Sequence, residues 1–228
     1  MHVPDGFLDA PTSVATGVVA AVAVGLALRQ SRRELDDRTA PLAGLVATFI
    51  FATQMLNFPV ASGTSGHLLG GALAAVLVGP ATGLLCMAVV FLVQCLLFAD
   101  GGITALGPNI LLMGIVTVVV GWGVFRLVQA VLPKRVAMVA PAAAAGALVS
   151  VPVAALAFVG LYAVGGTVDI PLGHLAVAMV GVHTLIGLGE AVITFLAVGS
   201  IVAVRPDLVY GARSVLATRS LELREAPR

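Results

Sequence analysis

Every lysine and arginine of the chain falls into one of three clusters, and the stretches between the clusters are almost wholly apolar. Arg29, Arg32, Arg33 and Arg38 form the first, Arg126, Lys134 and Arg135 the second, and Arg205, Arg213, Arg219, Arg224 and Arg228 the third. Charged side chains are costly in hydrocarbon, so such clusters mark where a chain leaves the bilayer. With 60% of residues hydrophobic and only 10% charged, against roughly 25% charged in soluble domains, the chain reads as a polytopic membrane protein. A soluble enzyme and a nucleic-acid-binding module are both excluded.

The apolar runs predict an all-α integral membrane fold of about seven helices, near 11–29, 41–57, 65–79, 81–98, 108–132, 136–163 and 174–204. The third run is about fifteen residues, short for a span of roughly twenty. Four helices separate the first basic cluster from the second, and two separate the second from the third. Both counts are even, so all the basic residues share one face, which the positive-inside rule makes cytoplasmic. The N-terminus is then outside and the C-terminus cytoplasmic, with residues 1–10 an outer tail, 11–205 the membrane domain and 206–228 a cytoplasmic tail.

The outward segments 1–10, 58–64, 99–107 and 164–173 contain no Lys or Arg but carry Asp5, Asp9, Asp100 and Asp169. An acidic mouth favours a cationic ligand, although insertion alone also produces such a bias. The N-terminus lacks a basic n-region, so it is not expected to be a cleaved signal peptide. The bulk of His2 also favours retention of Met1. Cys86 and Cys95 sit nine residues apart in one apolar run, about 13 Å along a helix, too far for a disulfide. They read as core or lipid-facing residues.

His2 lies in the outer tail and His67 opens the third run within NFPVASGTSGHLLGG, so the topology lets the two approach. A free amine followed by histidine is a chelator. The Met1 amine and the Met1–His2 amide nitrogen close a five-membered ring on a metal, and that amide and His2 Nδ1 close a six-membered one. The planar peptide holds these three nitrogens in one plane, and His67 can supply a fourth. Such a set suits Ni(II), Cu(II) or low-spin Co(II), and suits Mg(II), Ca(II) or tetrahedral Zn(II) poorly. The competing reading is that His2 is an ordinary polar residue of a frayed tail.

The run MHVPDGFLDAPT, the later NFPVASGTSGHLLGG and the late GVHTLIGLGEAVIT together resemble the cobalt/nickel substrate-binding membrane component of energy-coupling-factor transporters, the CbiM/NikM family, across essentially the whole chain. The resemblance implies a seven-span subunit with its terminus outside. It implies an ion held by the amine of Met1, the amide and imidazole of His2, and His67. It also implies a transmembrane coupling component and ATPase subunits as partners, sometimes a small accessory membrane subunit, and a place in the prokaryotic cell (inner) membrane. Ni(II) or Co(II) would be the transported substrate, with no catalytic cofactor.

Several residues have supporting readings. Pro4, Gly6 and Pro11 would restrain the tail so that it folds back into the bundle. Asn57, Thr64 and Ser65 either orient His67 or serve as turn and cap residues. His183 and Glu190, two turns apart on the last span, share a face. They read either as a structural pair pinning that helix or as a proton relay. Small residues such as Gly17, Ala21 and Gly25 would let a partner helix pack closely. The chain has no G-x-x-x-x-G-K-[ST] phosphate loop and so no ATPase of its own. Two rival functions remain open on the residues: a self-sufficient proton-coupled metal carrier using His183 and Glu190, and an intramembrane serine hydrolase with Ser65 as nucleophile and His183 as base.

Overall fold

The computed structural model describes residues 1–36, 39–56, 58, 59 and 65–218. Seven helices follow one another among the described residues, before short helical turns within 206–218. They are α1 (Ala10–Glu34), α2 (Ala40–Gln54), α3 (Gly71–Val78), α4 (Pro80–Leu97), α5 (Leu106–Val131), α6 (Val136–Gly165) and α7 (Leu172–Val204). Helices α1, α4, α5, α6 and α7 are long and apolar enough to cross a membrane, while α2 is apolar but shorter. The protein is an all-α, multi-pass membrane protein. Phe58–Pro59 and Ser65–Gly66 pair as a two-residue antiparallel ladder.

The third helix departs from expectation. Instead of running from 65 to 79 it spans only Gly71–Val78, every residue of it buried, and the chain enters it through the non-helical segment 66–70. Non-helical backbone at this depth persists only where protein groups satisfy it, and here they do. Leu69 N–H and Gly70 N–H donate to the two carboxylate oxygens of Glu190 at 2.7 and 2.9 Å, and Leu69 C=O accepts from the Gln54 amide at 2.7 Å. Gly70 takes φ +84° to start the helix, a left-handed geometry that a side chain would resist, and an added Cβ would press on Ile50. The short helix thus trades a turn and a half of α-structure for a polar segment carrying His67 into the bundle.

The last helix buries a single stripe of Leu175, Met179, His183, Gly187, Glu190, Thr194, Val198 and Val202. His183 and Glu190 therefore do share the inward face. At the opposite side of the bundle, α1 exposes Val14, Val18, Val22 and Leu26, as a lipid-facing helix should. Its Gly17 is already used within the chain, because Gly107 on α5 packs against its backbone.

The basic clusters meet at one end. Arg213 Nη1 donates to the Glu34 carbonyl at 3.0 Å, and Arg126 and Lys134 line a cleft with Ser214 and Thr218. Buried Glu34 accepts from Ala81 N–H and Thr82 N–H, capping α4 beside its partial positive charge. By the positive-inside rule this end is cytoplasmic. The N-terminal tail lies at the other end.

Candidate metal centre

The amino-terminal tail is not frayed. Met1, His2, Val3, Phe7 and Leu8 are all buried, with Met1 only 1% exposed. Phe7 N–H donates to the Pro4 carbonyl at 3.3 Å, closing a turn whose Gly6 has φ +74°, and Pro11 stands in the first turn of α1. The tail is fastened on both sides. Val3 N–H donates to Asn109 Oδ1 at 2.7 Å while Asn109 Nδ2 donates back to Val3 C=O at 3.2 Å. Asp5 Oδ1 accepts from Thr104 N–H and its hydroxyl at 2.8 and 2.5 Å, which holds that carboxyl below the usual carboxylate range. On the other flank Thr167 N–H donates to Phe7 C=O and Asp9 N–H to Gly165 C=O. The Phe7 ring sits against Phe158 and Tyr162. Gly102 permits the first clamp, since a Cβ there would collide with the Asp5 backbone nitrogen.

The docked tail brings His2 onto His67. Their rings stack with centroids 4.6 Å apart, and His2 Nδ1 lies 3.1 Å from His67 Nε2. The tautomers follow from the surrounding bonds. Leu69 C=O can only accept, so Gln54 must turn its NH2 toward it, and its Oε1 then faces the Gln94 NH2 at 3.0 Å. Gln94 Oε1 is left facing His2 Nε2 at 3.2 Å, which makes that nitrogen the N–H donor. Likewise His67 Nδ1 must donate to Leu68 C=O at 2.8 Å. The two remaining nitrogens, His2 Nδ1 and His67 Nε2, face each other in a buried site, where a proton or a metal ion can sit between them.

Asp100 completes the electrostatics. Its Oδ1 lies 3.2 Å from His2 Nδ1, and its side chain is 23% exposed where the imidazole is 4% exposed, so it connects the site to the outer face. Burial pushes the Met1 amine down from its ordinary value near 8 to about 4, against a smaller opposing pull from Asp100. The same amine lies within electrostatic reach of His67 and His183. Among the described residues no group of three or more His, Cys, Asp or Glu side chains is arranged to hold a metal. The backbone nitrogens adjacent to the His2 ring are the Met1 amine and the Met1–His2 amide.

Of the residues singled out in the sequence, Met1, His2 and His67 are brought together. Glu190 grips the backbone just beyond His67, and His183 lies two turns outward on the same helix. Asn57, Thr64 and the Ser65 side chain lie outside the described residues. Sequence reasoning missed Gln54, Gln94 and Asn109. Each is a lone carboxamide in an apolar run, and a polar group in that setting is expected to be paired. Asn109 also immediately precedes the π-helical turn Ile110–Val116, an irregularity that often marks a functional position.

Residues 2–208 match the CbiM family, described as the cobalt uptake substrate-specific transmembrane region. A candidate metal transport protein of Haloquadratum walsbyi is 41% identical over 212 residues, covering 92% of this chain and 94% of that protein. A candidate fused nickel transport protein, NikMN, of Archaeoglobus fulgidus is 39% identical over 211 residues, covering 92% of this chain and 68% of its own. The crystal structure of a transition metal transporter superposes with a TM-score of 0.81 at 29% identity, over 88% of this chain and 92% of that one. The chain belongs to the CbiM family of cobalt uptake substrate-specific transmembrane proteins.

Proposed function

We propose that this protein captures Ni(II) or Co(II) at the outer membrane face in a planar set of four nitrogens: the Met1 amine, the Met1–His2 amide, His2 Nδ1 and His67 Nε2. The observation that carries the reading is the close approach of two buried ring nitrogens, His2 Nδ1 and His67 Nε2. With metal–nitrogen bonds of about 2 Å, adjacent corners of a square lie about 2.8 Å apart, so the observed 3.1 Å needs only a slight contraction. In the chelate the amine and His2 Nδ1 are opposite corners, and His67 takes the corner opposite the amide.

Charge balance supports the same set. A divalent ion that displaces one amide proton leaves a net single positive charge, and Asp100 beside His2 brings the sum to zero. A neutral cluster is one that a buried site tolerates, whereas an unbalanced ion there is costly. Late transition metals promote that deprotonation, and Ca(II) or Mg(II), which seek six or more oxygens, find no such shell among the described residues.

In this reading the chain is the substrate-specific subunit of an ATP-driven importer of the energy-coupling-factor type. The fusion described for the Archaeoglobus relative joins a region like this one to a further segment, in keeping with work as part of an assembly. Coupling and ATPase subunits would supply the energy. The role of Glu190 in holding residues 69 and 70 accounts for that carboxylate without a proton relay. The test is reconstitution: purified protein in liposomes should bind Ni(II) yet take up almost none, with uptake appearing when the ATPase and coupling subunits are added. Proton-driven uptake by the protein alone would favour the carrier reading instead.

A further inference from the structure

His183 carries a buried nitrogen that the chelate does not use. Its Nδ1 faces the Met179 carbonyl, one turn back on α7, at 2.8 Å. A carbonyl only accepts, so Nδ1 holds the proton and Nε2 is a bare acceptor. The side chain is fully buried, and Nε2 has no hydrogen-bond partner among the described residues. An acceptor left this way inside a bundle is unfavourable, and polar atoms of this kind are rare enough to require a reason.

Position supplies one. Glu190 on α7 reaches the backbone of Leu69 and Gly70. His183 lies two turns nearer the outer end on the same buried stripe, about 10 Å along the helix. The segment from Gly70 back to His67 also leads outward, a reach of at most about 10 Å for three residues, which brings His183 toward the level of the His2–His67 pair. It also lies within electrostatic reach of the amino terminus.

A metal-bound amine still has two N–H bonds. Bound through its lone pair and buried with Met1, it needs two acceptors on the side away from the ion, and the Asp100 carboxylate exerts its charge on the amine. We propose that His183 Nε2 accepts the other, so that His183 is a positioning residue which turns the amine lone pair toward the metal. This inference rests on the four-nitrogen reading above.

The experiment uses the full chain in detergent, with Ni(II) alone as the probe, and compares wild type with His183→Phe, His183→Gln and a protein carrying a Gly-Ser-Gly-Ser extension before Met1. His183→Phe should lower Ni(II) affinity about tenfold, the scale of one hydrogen bond. It should keep the planar absorption band and leave the melting temperature of the metal-free protein undiminished. His183→Gln, which places an amide oxygen near the same point, should bind within about threefold of wild type. Affinity of His183→Phe within twofold of wild type would overturn the proposal. So would a five-coordinate wild-type spectrum that becomes planar in His183→Phe, since His183 would then be a ligand. Should His183→Phe fail to fold, His183→Asn replaces it: its oxygen falls short, so affinity equal to that of His183→Gln overturns the proposal. The N-terminal extension separates the two levels. If it leaves binding intact, the chelate itself fails, whereas a neutral His183→Phe beside an extension that abolishes binding removes only the role of His183.

Discussion

His2 Nδ1 and His67 Nε2 face each other across 3.1 Å, although 65 residues of chain separate them. Neither nitrogen can turn away, because each ring is tethered through its other nitrogen, His2 to Gln94 and His67 to the Leu68 carbonyl. In the four-nitrogen reading proposed above, the pair makes up half of the metal site. Substitutions that disturb the tethers should therefore weaken metal binding without touching the ligands.

Gln94→Leu removes the acceptor that fixes the tautomer of His2 and leaves the Gln54 oxygen unpaired. Outer partners of metal-binding histidines typically contribute 10–100-fold in affinity, so titration calorimetry should find Ni(II) binding weakened by roughly that factor. Gln54→Leu should act in the same direction, and the double variant should lose less than the product of the two, because one chain of hydrogen bonds is being cut twice. Additive losses would contradict the relay.

Asn109→Leu deprives both polar groups of the Val3 peptide of a side-chain partner inside the bundle. Two such losses amount to about 2–3 kcal/mol, enough to release the tail. Hydrogen exchange over residues 1–9 should rise sharply while that of α7 stays as it was. Metal affinity should drop along with tail protection. A protected tail in this variant would show that the docking depends on something else.

Glu190→Gln keeps the shape of the clamp but turns an NH2 toward a backbone N–H of Leu69 or Gly70. The variant loses one charge-assisted bond and sets two donors against each other, a cost of about 2 kcal/mol. Thermal unfolding should move down and Ni(II) affinity should fall, since His67 rides on the same segment.

Acidification should loosen the tail. The buried Met1 amine is held neutral with its pKa near 4, below its ordinary value near 8. The undocked tail therefore binds more protons than the docked one throughout that window. Docking is weakest at and below the lower value, strengthens as pH rises, and loses its penalty above the upper one. Ni(II) affinity and tail protection should rise together from pH 5 to pH 8. Flat protection over that range would contradict a buried neutral amine.

Much of this architecture was legible in the residues. Three basic clusters separated by even numbers of apolar runs put the bases at one end of the bundle, and Arg213 beside Glu34 bears that gathering out. The His2–His67 approach followed from the same topology. The third helix was not legible, because hydropathy cannot tell an apolar helix from an apolar extended segment whose polar backbone is met by Glu190 and Gln54. Those partners come from α7 and α2, and only the packed bundle shows that they converge. The tail was half readable: Pro4, Gly6 and Pro11 announce a bend, but the amide of Asn109 that receives it lies 106 residues away.

Whether the amino terminus itself binds the metal is tested most directly by Ni(II) and Co(II) binding to purified protein of verified N-terminal mass. Two proteins are compared, with and without a Gly-Ser-Gly-Ser extension preceding Met1. The extension keeps both imidazoles but turns the Met1 amine into a peptide nitrogen, which removes one ligand and opens the five-membered ring. Binding should be lost in the extended protein and should survive a C-terminal tag unchanged. Undiminished binding in the extended protein would contradict an amino-terminal chelate.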